Sequence, residues 1–201
     1  MKRIFALLAV AIATLSIAFT EKNNGLEIGS PLPSPDTKLK DISGKEISFN
    51  DVMKPNGLLV MFSCNTCPVV EKYESRTVEI ARYATKNNIG VILLNPNEAS
   101  RDRGDSFDDM KDYAKKLGYD FPYVVDDNSN LADIFGATRT PEIFLFDKSG
   151  KLAYHGAIDD NPTETNVSRS HLKAAINEMV SGKDISTKVT RSVGCTIKRL
   201  N

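Results

Sequence analysis

The chain has 201 residues, a length that suits one domain with a hydrophobic core. Hydrophobic residues make up 41% and charged residues 26%, which is typical of a globular protein. Basic and acidic side chains balance at 26 each, so nothing indicates the concentrated basic patch that nucleic acid or an anionic membrane surface would require.

The first twenty residues have the pattern of a secretory signal peptide. Lys2 and Arg3 give a positive start, and residues 4–18 carry no charge. This apolar stretch is shorter than the roughly 20 residues of a membrane-spanning helix. We expect cleavage after Ala18 or Thr20, with an uncleaved anchor as the alternative. The mature protein is then a monomer in the periplasm or cell envelope, without stable membrane insertion.

Residues 25–62 are predicted to be extended. Pro31, Pro33 and Pro35 oppose a helix. Residues 38–41 and 46–49 flank a Ser-Gly turn and predict a hairpin. The continuous apolar run 58–62 predicts a strand that is buried on both faces of a sheet.

Helices and strands alternate from residue 68 onwards. Apolar periodicity, turn residues and a capping pattern at Ser106 and Asp109 define the elements. This order predicts an α/β fold with a central mixed β-sheet and helices on both faces. The domain covers residues 25–185, and residues 186–201 are predicted to be a loosely packed C-terminal tail. The predicted helices cover residues 68–87, 106–117, 128–135 and a final stretch opened by His171, and the strands cover 91–94, 123–125, 142–147 and 152–158.

Cys64 and Cys67 lie between the first buried strand and the long helix, separated by two residues. A thiolate is the reactive form of cysteine, and unpaired amides at a helix N-terminus favour negative charge. We therefore expect the pKa of Cys64 to fall below about 8.5. Cys64 is the predicted nucleophile, and Cys67 is the resolving thiol that releases the partner.

The third cysteine, Cys195, makes the number of cysteines odd, so they cannot all pair within one chain. Two interpretations stay open for Cys195. It is either a plain thiol in the tail or a third redox thiol that exchanges with Cys64 and Cys67.

Thr140 and Pro141 precede the predicted hairpin. A C-x-x-C motif after the first buried strand, with Thr-Pro before a later hairpin, resembles the thioredoxin superfamily. The resemblance implies a thioredoxin-like fold, a cis Pro141 whose loop packs against the two cysteines, and a backbone at Thr140 that binds a substrate chain. A closer likeness is to exported AhpC/TSA redoxins, carried by residues 62–70, 136–141, 156–161 and 194–198.

This likeness implies an exported thiol–disulfide oxidoreductase that needs no cofactor and reduces or exchanges disulfides. Its partners would be protein or small-molecule thiols and disulfides, together with an unidentified electron donor. The residues depart from the family patterns in two ways. Leu58 replaces the buried Asp of thioredoxin, which leaves Glu71 as a weak candidate proton acceptor for Cys67. Met61 and Gly57 replace the Thr or Ser and the Pro of peroxiredoxins, which disfavours the alternative function of a thiol-dependent peroxidase.

Metal binding is the other alternative, as a zinc half-site or as a copper-binding chaperone that uses the two cysteines. No second C-x-x-C or His pair with ligand spacing accompanies them. His155, in a predicted strand, and His171 are interpreted as ordinary structural or surface residues. Residues 159–161 favour a hydrogen-bonded loop over a metal site. Five aspartates are predicted to form a solvated face: Asp102, Asp105, Asp108, Asp109 and Asp112.

Overall fold

The structure is a computed structural model that describes residues 25–200. The signal peptide expected at residues 1–20 lies outside the described residues. None of the helices within residues 25–200 has the length and apolarity needed to cross a membrane.

A five-stranded mixed sheet forms the centre of the molecule. Strand β3 (Leu58–Phe62) pairs in parallel with β4 (Gly90–Asn95) and antiparallel with β7 (Glu142–Phe146). Strands β5 (Tyr123–Val125) and β8 (Leu152–Gly156) lie outside these, giving the order β5-β4-β3-β7-β8. The predicted mixed sheet is confirmed, and β3 is central because every residue in it is buried.

Helices cover both faces of this sheet, as predicted. Alternate side chains of β3 point to opposite faces. Leu59 and Met61 pack against α2, α3 and α5, whereas Leu58, Val60 and Phe62 pack against α1 and α4. The bounds of the helices are α1 Phe49–Val52, α2 Pro68–Lys86, α3 Phe107–Leu117, α4 Asn130–Phe135 and α5 His171–Val180.

The hairpin before the sheet is shorter than predicted. Its strands are β1 (Leu39–Lys40) and β2 (Glu46–Ile47), which pair antiparallel. The predicted second strand ran to residue 49, but Ser48 caps α1, and its backbone amide donates 2.9 Å to the carboxylate of Asp51. The local capping box therefore wins over the extended pattern. The capping box predicted at the start of α3 is confirmed.

The C-terminal segment is part of the fold, so the expectation of a loosely packed tail is wrong. Strand β9 (Cys195–Thr196) pairs antiparallel with β6 (Arg139–Thr140). Ile197 is 4% exposed and joins the core on the α1 and α4 side of the sheet. Polar composition hid this anchor, because a single buried side chain and a two-residue strand leave no periodic signal.

The loop at residues 159–161 is held by hydrogen bonds, as predicted. Asp159 is buried and forms an ion pair with Arg76 of α2. The same guanidinium donates 2.9 Å to the carbonyl of Asn161. This loop fixes the end of β8 against α2.

Phe135 is the centre of an aromatic cluster under β3 and β7, with ring centroids 5.2 to 5.9 Å from four other phenylalanines: Phe49, Phe62, Phe144 and Phe146. We expect Phe135→Ala to lower the free energy of unfolding by about 3–5 kcal/mol, because it leaves a cavity in a closely packed core. Urea denaturation measures this loss.

The neighbouring Ile134 provides a matched control for this measurement, since it is 44% exposed on the same helix. Ile134→Ala should change the free energy of unfolding by less than about 0.5 kcal/mol. Equal losses in the two variants would show that the aromatic cluster does not stabilise the fold as described.

Candidate active site

The predicted cysteine motif lies where β3 gives way to α2. Helix α2 begins at Pro68, and Cys67 is its N-cap residue. A proline is favourable in the first turn, where its missing amide costs no helical hydrogen bond. Cys64 was expected at the helix N-terminus, but it lies three residues before the N-cap. Cys67, rather than Cys64, therefore stands at the positive end of the helix dipole.

The peptide bond between Thr140 and Pro141 is cis, as the resemblance implied. Thr140 contacts both cysteines of the motif. Its hydroxyl forms a 3.1 Å hydrogen bond with the Cys64 sulfur, and its carbonyl oxygen lies 3.4 Å from the Cys67 sulfur. The structure thus brings together four of the predicted site residues.

The fifth predicted site residue, Cys195, forms a disulfide with Cys67. The two Cα atoms are 6.0 Å apart although 128 residues separate the cysteines in sequence. Strand β9 places Cys195 opposite Thr140 in the register of the β6–β9 pair. Cys64 remains a free, buried thiol. Of the two interpretations of Cys195, this position supports the redox thiol, with Cys67 as its partner.

The expectation of a lowered pKa at Cys64 is wrong. Burial raises the pKa of the Cys64 thiol to about 11, and the nearby Asp105 carboxylate raises the pKa as well. Hydrogen bonds from Thr140 and from the amides of Thr66 and Cys67 oppose this effect but do not reverse it. In the state with the Cys67–Cys195 disulfide, Cys64 is therefore protonated at neutral pH.

Asp105 is completely buried, so its assignment to a solvated face is also wrong. Its carboxylate accepts hydrogen bonds from the Asn65 amide and the Thr66 hydroxyl, each of 2.7 Å. These are the two residues between Cys64 and Cys67. The aspartate therefore holds the shape of the cysteine loop through the chain's own backbone and side-chain donors.

The same carboxylate links the cysteine loop to the C-terminal segment. The side-chain amide of Asn97 donates 3.2 Å to Asp105, and the Asn97 carbonyl oxygen accepts 3.0 Å from the Lys198 backbone amide. The amide of Asn95 donates a further 2.8 Å to Asp105. Asp105 was missed because the sequence around it is a run of similar acidic residues, and only the folded loop separates one from the rest.

Glu142 secures the other wall of the site. Its buried carboxylate accepts the backbone amides of Thr138 and Arg139, at 2.8 and 3.0 Å, just before the cis bond. The His155 ring forms a 2.7 Å hydrogen bond with the same carboxylate and stacks on Phe144. The structural interpretation of His155 is confirmed. Within residues 25–200, no cluster of three or more His, Cys, Asp or Glu side chains could hold a metal ion.

Residues 29–155 match the model of the AhpC/TSA family. The chain belongs to the AhpC/TSA family. This AhpC/TSA protein is 26% identical over 134 residues to the thiol-disulfide oxidoreductase ResA of Geobacillus thermodenitrificans, covering 67% of this chain and 71% of the relative.

Two solved structures extend the comparison. A hypothetical protein of Sinorhizobium meliloti has a TM-score of 0.80 and 30% identity, with 88% of this chain and 97% of that chain covered. A thioredoxin-like protein solved in its oxidized form has a TM-score of 0.61 and 18% identity, with 79% and 99% covered. The expected thioredoxin-like fold is confirmed.

The state of Cys64 in this AhpC/TSA protein can be tested by alkylation of the oxidised form, in which Cys64 is the free thiol. A shift of the pKa from 9.0 to about 11 lowers the thiolate fraction near neutral pH by about 100-fold. We therefore expect labelling by iodoacetamide at least this much slower in the folded protein than in concentrated urea. Similar rates in the two conditions would contradict the burial of the thiol.

Asp105→Asn should accelerate the same reaction, because it removes a negative charge beside the sulfur and two of the acceptor positions that hold the loop. Asp102→Asn is the matched control, since the Asp102 side chain is 87% exposed. Equal acceleration by both variants would mean that the effect comes from overall charge instead of the buried contact.

Proposed function

We propose that the protein is a thiol–disulfide oxidoreductase whose reactive pair is Cys67 and Cys195. The observation that carries the proposal is the disulfide between the N-cap of α2 and strand β9, beside the cis Thr140–Pro141 bond. The relative named thiol-disulfide oxidoreductase ResA supports the same reaction class.

The exposure of the two sulfurs suggests the order of the exchange. Cys67 is 4% exposed, whereas Cys195 is only half-buried. An incoming thiolate attacks the Cys195 sulfur, forms a mixed disulfide there and releases Cys67 as the thiolate. A second thiol of the partner then attacks the mixed disulfide, which frees Cys195 and leaves the partner oxidised. The reverse sequence oxidises the protein and reduces the partner's disulfide.

Cys67 suits the role of leaving group because it stands at the N-terminus of α2, where the helix dipole favours a thiolate. The Cys64–Cys67 disulfide that the sequence suggested, with Cys64 as nucleophile, stays a prediction. It would require deprotonation of a buried thiol whose pKa is raised to about 11. The Cys67–Cys195 pair requires no such step, so we favour it.

We further propose that the protein acts outside the cytoplasm, in the periplasm or cell envelope. The charged start and apolar stretch within residues 1–20 support export. A persistent disulfide is also more compatible with an oxidising compartment than with the cytoplasm.

A titration against glutathione distinguishes the two possible pairs. Thiols remaining at each ratio of reduced to oxidised glutathione are alkylated and located by mass spectrometry. We expect the wild type to lose the thiols of Cys67 and Cys195 together in one two-electron step. Cys195→Ser should shift the equilibrium away from an intramolecular disulfide by at least about 10-fold, because the partner sulfur is gone.

Cys64→Ser is the matched substitution for this titration, since it removes the free thiol and should retain the two-electron step. The opposite result, with the step kept in Cys195→Ser and lost in Cys64→Ser, would replace our pair by the pair suggested from the sequence. Absence of any two-electron step in the wild type would contradict the proposed function itself.

Export is tested by expressing the full chain in a Gram-negative host, fractionating the cells and measuring the mass of the product. We expect a periplasmic protein that lacks about 18–20 N-terminal residues. Lys2→Glu with Arg3→Glu should reduce export, because the positive start is required for the signal to be recognised. Full-length protein found in the cytoplasm would contradict the proposal.

A further inference from the structure

The C-terminal segment raises the question of which disulfides can reach the reactive pair. Resting on the function proposed above, we propose that the substrates are small, flexible thiols and disulfides, and that extended polypeptides are excluded while residues 194–196 cover the edge of β6. An extended chain binds most simply by pairing with an exposed strand edge. Beside the disulfide, that edge is already paired by the protein's own β9.

The covering contact is close. Arg139 pairs with Thr196 and Thr140 pairs with Cys195 in the β6–β9 register. A Cβ atom at Gly194 would lie only 2.2 Å from the carbonyl oxygen of Thr140. The two backbones therefore approach as closely as a glycine permits, and no second chain can pair with β6 on this side until the segment moves.

The anchors on the C-terminal side of Cys195 do not depend on the disulfide. Ile197 is 4% exposed in the core, and its amide donates 3.1 Å to the carbonyl of Thr138. The carbonyl of Lys198 accepts 2.8 Å from the amide of Ala99. The Arg199 guanidinium forms a 2.7 Å ion pair with Asp133. These contacts remain when the sulfurs are reduced.

A second set of contacts holds the segment on the N-terminal side of Cys195. The amide of Thr190 donates 3.0 Å to the carbonyl of His155 on β8. The Thr190 hydroxyl bonds with the Tyr154 hydroxyl at 2.6 Å and accepts 3.0 Å from the Ala157 amide. Since Cys195 lies between two anchored stretches, we infer that reduction opens the disulfide without uncovering β6.

A small disulfide avoids this barrier because it needs only the half-buried Cys195 sulfur. The Cys195 thiolate attacks one sulfur of the small disulfide, which expels one small thiolate and forms a mixed disulfide on Cys195. The Cys67 thiolate then attacks the Cys195 sulfur and expels the second small thiolate. Two electrons pass from the protein pair to the small disulfide, and the Cys67–Cys195 bond is restored.

The test uses the reduced full chain and two substrates with the same leaving group, 2-nitro-5-thiobenzoate, whose release is followed by absorbance. One substrate is the mixed disulfide of N-acetylcysteine amide, and the other carries the same cysteine in the middle of an extended, strand-forming peptide. We expect the wild type to react at least about 10-fold more slowly with the peptide, which must wait for local opening of the segment.

Gly194→Val should remove this difference, because its side chain cannot fit against the Thr140 carbonyl and the segment must leave β6. The peptide rate should rise by at least about 10-fold and the small-substrate rate by less than about 3-fold. Leu200→Ala is the control, since Leu200 is 61% exposed outside the covering strand, and it should leave both rates unchanged.

Hydrogen exchange of the reduced wild type gives a second measurement that does not need a folded variant. The amide of Ile197 should stay protected after reduction, because its hydrogen bond to Thr138 persists. Equal wild-type rates with the two substrates, or loss of this protection on reduction, would overturn the proposed substrate class. Failure of the wild type to react with either substrate would instead contradict the proposed function.

Discussion

Thr140 is the residue on which the arrangement of the site depends, because it faces all three sulfur positions. Its hydroxyl lies 3.1 Å from the Cys64 sulfur, its carbonyl oxygen lies 3.4 Å from the Cys67 sulfur, and its backbone pairs with Cys195. The cis bond to Pro141 turns the chain so that these three contacts are possible at once. A shift of this residue would therefore change both the disulfide and the environment of the free thiol.

Two buried carboxylates hold the walls around Thr140. Glu142 accepts the amides of the two residues before Thr140, and Asp105 accepts donors from the cysteine loop on the opposite side. Each carboxylate is buried, so each depends on its donors to offset the cost of leaving water. The geometry of the redox site is thus maintained by polar contacts, whereas the sheet beneath it is maintained by apolar packing.

The sheet, its helices and the cis bond could be predicted because their signals are local or are shared by a large superfamily. The run Leu58–Phe62 is apolar at every position, and Thr140–Pro141 stands directly before a strand. The partner of Cys67 could not be predicted in this way. It depends on a segment 128 residues away whose two-residue strand leaves no pattern in the sequence. The pKa of Cys64 was wrong for a related reason, since the helix begins at Pro68 and burial, a tertiary property, determines the charge.

The long separation of the two bonded cysteines couples the redox equilibrium to the folding equilibrium. Closing a loop of 128 residues restricts the unfolded chain, and in the chain-entropy picture this stabilises the native state by about 5 kcal/mol. A thermodynamic cycle requires the folded protein to stabilise the disulfide by the same free energy, which corresponds to about 100 mV in the reduction potential of a two-electron couple. Denaturation therefore makes this bond a stronger oxidant, and substitutions remote from the sulfurs can tune the chemistry through fold stability alone.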